Sequence, residues 1–176
     1  MATRKSTTVI RKVTARNAGA LLTLVDALAR YEKLPPPAPA AKRRFLSHCA
    51  GPGKRFDAYI AITGGEAAGY ALVFETYSSF LALPTLYLED LFVVPSHRGR
   101  GAGMKLFRFC AAEAKRRGCG RMEWVVLDWN TGAKRFYRNL GARRLSSWEH
   151  YRLELRRPVA RLTTRRHGRR PRSKQR

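Results

Sequence analysis

Glu89 and Asp90 stand side by side in an otherwise apolar run, Leu86-Tyr-Leu-Glu-Asp-Leu-Phe-Val-Val94. Successive strand residues face opposite sides of a sheet, so one of the two carboxylates must point toward the core or a cleft. A carboxylate removed from water beside aromatic rings holds its proton more tightly and can take one from an ammonium group. An ion pair with an arginine is the alternative for either residue. The run leads straight into Pro95-Ser-His-Arg-Gly-Arg-Gly-Ala-Gly103. Gly99, Gly101 and Gly103 let main-chain N–H groups turn toward one point, and the start of the helix behind them favours an anion there. The loop lacks the Lys-Ser/Thr of a P-loop, and no acidic residue sits about twenty positions on at the end of a second parallel strand, as a dinucleotide fold requires. Farther along, Tyr137 falls on the inner face of a helix beside Phe136, where a phenol either donates a proton or simply packs. Asn130 precedes that helix and is placed to cap it. His48, His97, His150 and His167 sit in no Cys- or Ser-centred pattern, so spacing does not support covalent catalysis.

The elements that must hold these residues follow from periodicity and breakers. A strand is expected over 8–13, and Thr14 can cap the next helix, whose Leu21, Leu24, Val25 and Leu28 share one face. Leu34-Pro-Pro-Pro-Ala-Pro39 ends helical structure before a shorter helix near 41–48. Strands at 55–61 and 67–77 pair through a Gly64-Gly65 turn, and a third covers 85–94. A helix over 102–117 buries Met104, Phe107, Cys110, Ala111 and Ala114. Next come a strand at 122–127 and a helix at 131–140 that buries Phe136, Tyr137 and Leu140 and stops at Gly141. Two strands, 143–147 and 150–156, complete the expected sheet.

Arg98-x-x-Gly101-x-Gly103 after an apolar strand resembles the pyrophosphate-binding loop of the GNAT family of acyl-CoA-dependent N-acyltransferases. The segments Gly118-Cys-Gly-Arg-Met-Glu-Trp-Val-Val-Leu-Asp-Trp-Asn130 and Ala133-Lys-Arg-Phe-Tyr-Arg-Asn-Leu-Gly-Ala142 resemble the strand and helix that complete the acyl-CoA site there. Tyr31-Glu-Lys-Leu34 and Tyr77-Ser-Ser-Phe-Leu81 are similar to the diamine (spermidine/spermine) and thialysine acetyltransferase branch, and the likeness covers residues 8–156. It implies an α/β fold, a mixed, mostly antiparallel central sheet flanked by about four helices. It further implies acetyl-CoA as co-substrate, direct attack in a ternary complex, no metal, and a homodimer. The main-chain N–H groups of Arg98, Gly99, Arg100, Gly101, Ala102 and Gly103 would hold the pyrophosphate. Val93 and Val94 would pair with the pantetheine arm, and an N–H near Val93 would meet the oxyanion. Asn130 would bond the pantetheine amides, or only cap its helix. Glu89 takes the part of the base and Tyr137 that of the acid that protonates the departing thiolate. Thr131-Gly132 stands where many relatives have Glu-Pro, a change that weakens the start of the final helix.

Composition sets the outer limits. A chain of 176 residues, 44% of them hydrophobic, suffices for one domain with a true core. It contains no apolar run long enough to span a membrane, and its polar beginning is expected to carry no signal peptide, which points to the cytoplasm. Cys49, Cys110 and Cys119 are odd in number and widely spaced, against a disulfide framework or a zinc site. Lys and Arg number 36 against 12 Asp and Glu, a formal charge of +24. Residues 1–16 hold five of the bases and 157–176 nine, with no acid in either. The expected organisation is a flexible basic N-terminus (1–7), an N-acetyltransferase domain (8–156) and a disordered Arg-rich tail (157–176). Such a tail either contacts nucleic acid without sequence preference or is a solvated appendage. The expected activity is acetylation of a primary amine on a small molecule: a polyamine, a diamine, or a thialysine- or lysine-like compound. The alternatives are a protein N-terminal or lysine acetyltransferase and a nucleic-acid-associated binding module. Phe74, Tyr77, Phe80, Tyr87 and Phe92 could line an amine pocket or be sheet core. Glu32, Glu75, Glu89 and Asp90 could form a local acidic cleft in an otherwise basic domain.

Overall fold

The computed structural model describes residues 7–155. Most of the expected N-terminal arm and the whole expected disordered tail, 157–176, lie outside the described residues. The chain divides at Arg143/Arg144 into two units.

In the first unit the chain runs β1 (Thr8–Lys12), α1 (Ala18–Tyr31), α2 (Pro39–Ala50), β2 (Asp57–Thr63), β3 (Glu66–Ser78), β4 (Leu83–Val93), a 3-10 turn (Pro95–His97), α3 (Ala102–Arg116), β5 (Arg121–Glu123) and α4 (Thr131–Asn139). The five strands lie in spatial order β1-β2-β3-β4-β5, antiparallel except for the last pair. Gly64 and Gly65, at φ of 60° and 85°, make the β2–β3 turn that two adjacent glycines permit. Thr14 caps nothing; Asn17 precedes α1 instead, accepting from Thr14 N at 2.7 Å and donating to Lys12 O at 3.0 Å.

Both faces of the sheet are covered, which is why β2 and β3 are apolar at nearly every central position. On one face Tyr59, Ala61, Val73, Leu86 and Leu88 pack with Leu106 and Cys110 of α3. On the other, Ile60, Tyr70, Leu72 and Phe92 pack with Leu21 and Leu24 of α1 and Cys49 of α2. Two irregularities shape the functional end. In β4 the register passes from Leu88↔Val73 to Asp90↔Leu72, leaving Glu89 as an unmatched bulge residue. The pairing of β4 with β5 covers Thr85↔Arg121 to Tyr87↔Glu123 and then stops. Beyond Tyr87, one edge of β4 therefore stands open.

The expected strand at 122–127 is thus shortened to three residues, because the chain leaves β4 after Glu123. The expected strands at 143–147 and 150–156 are not formed over the described residues, and Trp148, Tyr151, Leu153 and Leu155 are exposed. Alternating apolar residues supply strand propensity, but a strand exists only where a neighbour accepts its hydrogen bonds. Within this second unit Tyr151 donates to Glu149 Oε2 at 2.5 Å. No helix among the described residues is long and apolar enough to cross a membrane.

Candidate active site

The open edge of β4 presents the main chain of Val93. Val94 N–H donates to Ala68 O at 2.9 Å. Alternate residues of an antiparallel strand bond to the same neighbour, so Val93 N–H and C=O point the other way, toward the gap left by β5. Val94 is occupied on both sides, since its carbonyl accepts from His97 N–H at 3.0 Å. Of the two valines expected to pair with a pantetheine arm, only Val93 has a main-chain N–H to offer a ligand, its carbonyl already accepting from Arg98 Nε at 2.9 Å.

The glycine loop follows directly. Gly99 and Gly101 have φ of 72° and 87°, the left-handed region that favours glycine, and a Cβ at either would touch no protein atom. Gly101 is the N-cap of α3, so the N–H groups of Ala102 and Gly103 are among those that lack an intrahelical acceptor. Gly103 has no such backbone demand; a Cβ there would make ordinary contact with Val93 Cγ2 at 3.5 Å. Arg98 N–H is already used, donating to Pro95 O at 3.2 Å. The residues that fit an anion are therefore those from Gly99 to Gly103: two left-handed glycines, open space, and a helix N-terminus. A diphosphate ending in a chain that runs along Val93 matches this arrangement.

On the α1 side of the gap lies Asp90. The bulge turns it inward beside Phe92 while Glu89 is exposed. Tyr70, fully buried, donates its hydroxyl hydrogen to Asp90 Oδ2 at 2.9 Å. Desolvation raises the Asp90 carboxyl to about 6, assisted by the charges of Glu89 and Glu32 and opposed by the bond from Tyr70. Among the described residues no cation lies within ion-pair distance of Asp90, Glu89 or Glu32, whereas Glu75 is held by Arg117 at 3.2 Å. Of the four acids expected to form an acidic cleft, Glu32 and Glu89 are near enough for their charges to act on Asp90, and Glu75 is committed to Arg117.

On the α3 side stands Tyr137. Asn130 does cap α4, its Oδ1 accepting from Ala133 N–H at 3.0 Å, which offsets the weak Thr131-Gly132 start. That places Phe136 and Tyr137 against Phe107 and Trp124, with the Tyr137 ring 4.8 Å from Trp124 and 5.9 Å from Phe107. Desolvation pushes the Tyr137 phenol up to about 12, with Cys110 and Asp90 adding to the effect. Asp90 is thus close enough for its charge to be felt by Tyr137 across the gap.

A further layer went unseen in the sequence. Tyr31 and Trp129 meet as tilted rings with centroids 5.7 Å apart, Tyr31 lies 6.1 Å from Phe92, and the Arg98 guanidinium sits 4.5 Å above the Tyr31 ring. Among the aromatic pocket candidates, Phe92 belongs to this wall. Phe74 and Tyr87 stack on each other at 5.1 Å, and Tyr77 and Phe80 are exposed.

The sequence profile described as the Acetyltransferase (GNAT) family matches residues 22–142. The thialysine N-epsilon-acetyltransferase of Sus scrofa is 31% identical over 157 residues, covering 83% of this chain and 92% of that protein. The L-ornithine N5-acetyltransferase NATA1 of Arabidopsis thaliana is 42% identical over 86 residues, 49% of this chain but only 38% of that protein. Among solved structures, a probable acetyltransferase superposes with a TM-score of 0.74 at 17% identity over 84% of this chain and 98% of that one. Aminoglycoside N-acetyltransferase AAC(6')-Iy in complex with CoA does so with a TM-score of 0.67 at 22% identity, over 91% and 100%. The family profile over 22–142 and the relative matched over 92% of its length show that the chain belongs to the GNAT family of N-acetyltransferases.

Proposed function

We propose that this N-acetyltransferase transfers the acetyl group of acetyl-CoA to a primary amine on a small molecule, by direct attack with both substrates bound. The observation that carries this reading is electrostatic. In a chain of net charge +24, Glu32, Glu89 and Asp90 have no cationic partner among the described residues, and the charges of Glu89 and Glu32 both reach the Asp90 carboxylate that Tyr70 holds at 2.9 Å. Uncompensated carboxylates gathered in a cleft are a site for an ammonium group. The relatives named for ornithine N5 and thialysine N-epsilon support a side-chain amine of an amino acid as the acceptor.

When bound, acetyl-CoA supplies an activated acetyl thioester. The residues from Gly99 to Gly103 hold its diphosphate, and Val93 holds its arm with its main-chain N–H. Asp90, partly buried and fixed by Tyr70, grips the ammonium. Glu89, exposed at the bulge next to it, takes the amine proton and returns it to solvent. Tyr137 Oη keeps its proton at neutral pH and holds it for the departing sulfur.

Thiol release from acetyl-CoA, measured with thialysine, ornithine, spermidine and a lysine peptide, tests the reading. The small amines should turn over and the peptide should not. Glu89→Gln should lower kcat about 100-fold with the amine KM little changed. Asp90→Asn should instead raise the amine KM roughly 30-fold, the loss of one charge-assisted contact. Equal effects of the two changes on both parameters would remove the division of roles.

A further inference from the structure

We propose that the Arg98 side chain is a positioning device that ties the cofactor loop to the amine side of the site through Tyr31. The inference rests on the acetyl-transfer reading above. Its Nε donates to Val93 O at 2.9 Å, on the open edge of β4. Its guanidinium carbon lies 4.5 Å from the centre of the Tyr31 ring and 5.8 Å from that of Phe92. Tyr31 is the last residue of α1, directly before Glu32, one of the acids without a cationic partner among the described residues. The same ring meets the tilted ring of Trp129 at 5.7 Å, and Trp129 adjoins Asn130, the cap of the helix that carries Tyr137. One side chain from the loop therefore contacts the β4 edge and the end of α1, and through Tyr31 reaches the start of α4.

The geometry also says what Arg98 is not for. The anion-binding part of the loop consists of main-chain N–H groups, whereas Arg98 directs Nε to a carbonyl and holds its guanidinium over a ring. Lysine keeps the charge but cannot do both, having neither the planar group nor a donor fixed at its edge. Without the guanidinium, Tyr31 loses a cation–π partner and Glu32 its fixed place beside the cleft. The effect should fall on the amine, because the grip on the diphosphate does not pass through this side chain.

The test uses Arg98→Lys, Tyr31→Leu, Tyr31→Phe and the Lys/Leu double variant. Thiol release gives the amine KM and kcat, calorimetry gives the CoA Kd, and thermal melting of the ligand-free proteins gives a readout independent of turnover. Arg98→Lys and Tyr31→Leu should each raise the amine KM about tenfold while the CoA Kd moves less than about threefold. Tyr31→Phe, which keeps the ring, should behave as the parent. The double variant should be no worse than the poorer single variant, and its loss in Tm should be smaller than the two single losses combined. The proposal is overturned if Arg98→Lys weakens CoA tenfold with the amine KM unmoved, or if the two changes act independently in both KM and Tm. A parent enzyme inactive on every amine would sink the proposed reaction, while the Tm coupling would still report on the Arg98–Tyr31 contact.

Discussion

Tyr70 holds Asp90 from across the β3–β4 ladder, its hydroxyl 2.9 Å from the carboxylate oxygen and its ring entirely buried. A buried phenol needs an acceptor and an uncompensated carboxylate needs a donor, so each satisfies the other. The bond also favours the ionised form of Asp90, against a desolvation that raises the carboxyl to about 6. That balance sets the pH at which the site can receive a cation.

Tyr70→Phe removes the hydrogen bond that lowers the Asp90 carboxyl, so its affinity for a proton must increase. The acid limb of kcat/KM for the amine should start near pH 6 in the parent and move up by about one unit in the variant. A pH–rate series on both proteins checks this. An acid limb that stays where it was would separate Asp90 from amine capture.

Tyr137→Phe should reduce kcat by about 100-fold while calorimetric CoA binding is retained. The ring keeps its contacts with Trp124 and Phe107, so the melting temperature should stay close to the parent's. Because desolvation pushes the phenol up to about 12, the parent should show no alkaline loss of rate from this group below pH 10. A rate unchanged by the substitution would require another proton donor.

Arg117→Ala should lower the melting temperature by about 10 °C at neutral pH and leave kcat/KM intact. The Arg117 guanidinium, with a side chain 14% exposed, reaches Asp57 at 2.8 Å, Glu75 at 3.2 Å and Glu113 at 3.3 Å. Desolvation would raise Asp57, but hydrogen bonds from Lys54, Lys12 and Arg117 outweigh it and hold the carboxyl at about 2. Bonds from Arg116, Arg117 and Tyr59 hold Glu113 at about 2 against desolvation. Both values lie below the unfolded ones near ~4, so this stabilisation is complete above about pH 5 and is lost as pH falls toward 2. The gap between parent and variant melting curves should therefore narrow on acidification. A constant gap from pH 7 to pH 3 would show that the charges are not its source.

The glycine loop was legible in the sequence because its determinants are local: left-handed turns at Gly99 and Gly101 and a helix start at Ala102 need no distant partner. The layered α/β order was legible for the same reason, in the periodicity of α1 and α3 and the Gly64-Gly65 hairpin. What escaped depends on register and on contact between remote segments. The bulge that exposes Glu89 and turns Asp90 inward arises from the match of β4 to β3, so adjacency alone could not say which carboxylate faces the cleft. Nothing around Tyr70 in β3 announces a site, and Tyr31-Glu-Lys-Leu34, although it resembles a branch of the family, does not say that its ring meets Phe92, Trp129 and Arg98. Conversely, Tyr151, Leu153 and Leu155 alternate as a strand would, but alternation cannot supply the partner edge that a strand requires.

The contrast between a basic exterior and three carboxylates at Tyr70 has a consequence for capture rates. At low ionic strength the field of the whole chain reaches some 30 Å and repels an approaching cation, whereas near physiological salt it fades within about 8 Å. Inside that shorter range a guest ammonium senses mainly Glu32, Glu89 and Asp90. Added electrolyte would then speed the arrival of a positively charged acceptor, the reverse of what attraction between opposite surfaces produces. Once its nitrogen becomes an amide, the same carboxylates have nothing left to hold, and departure of the product is built into the chemistry.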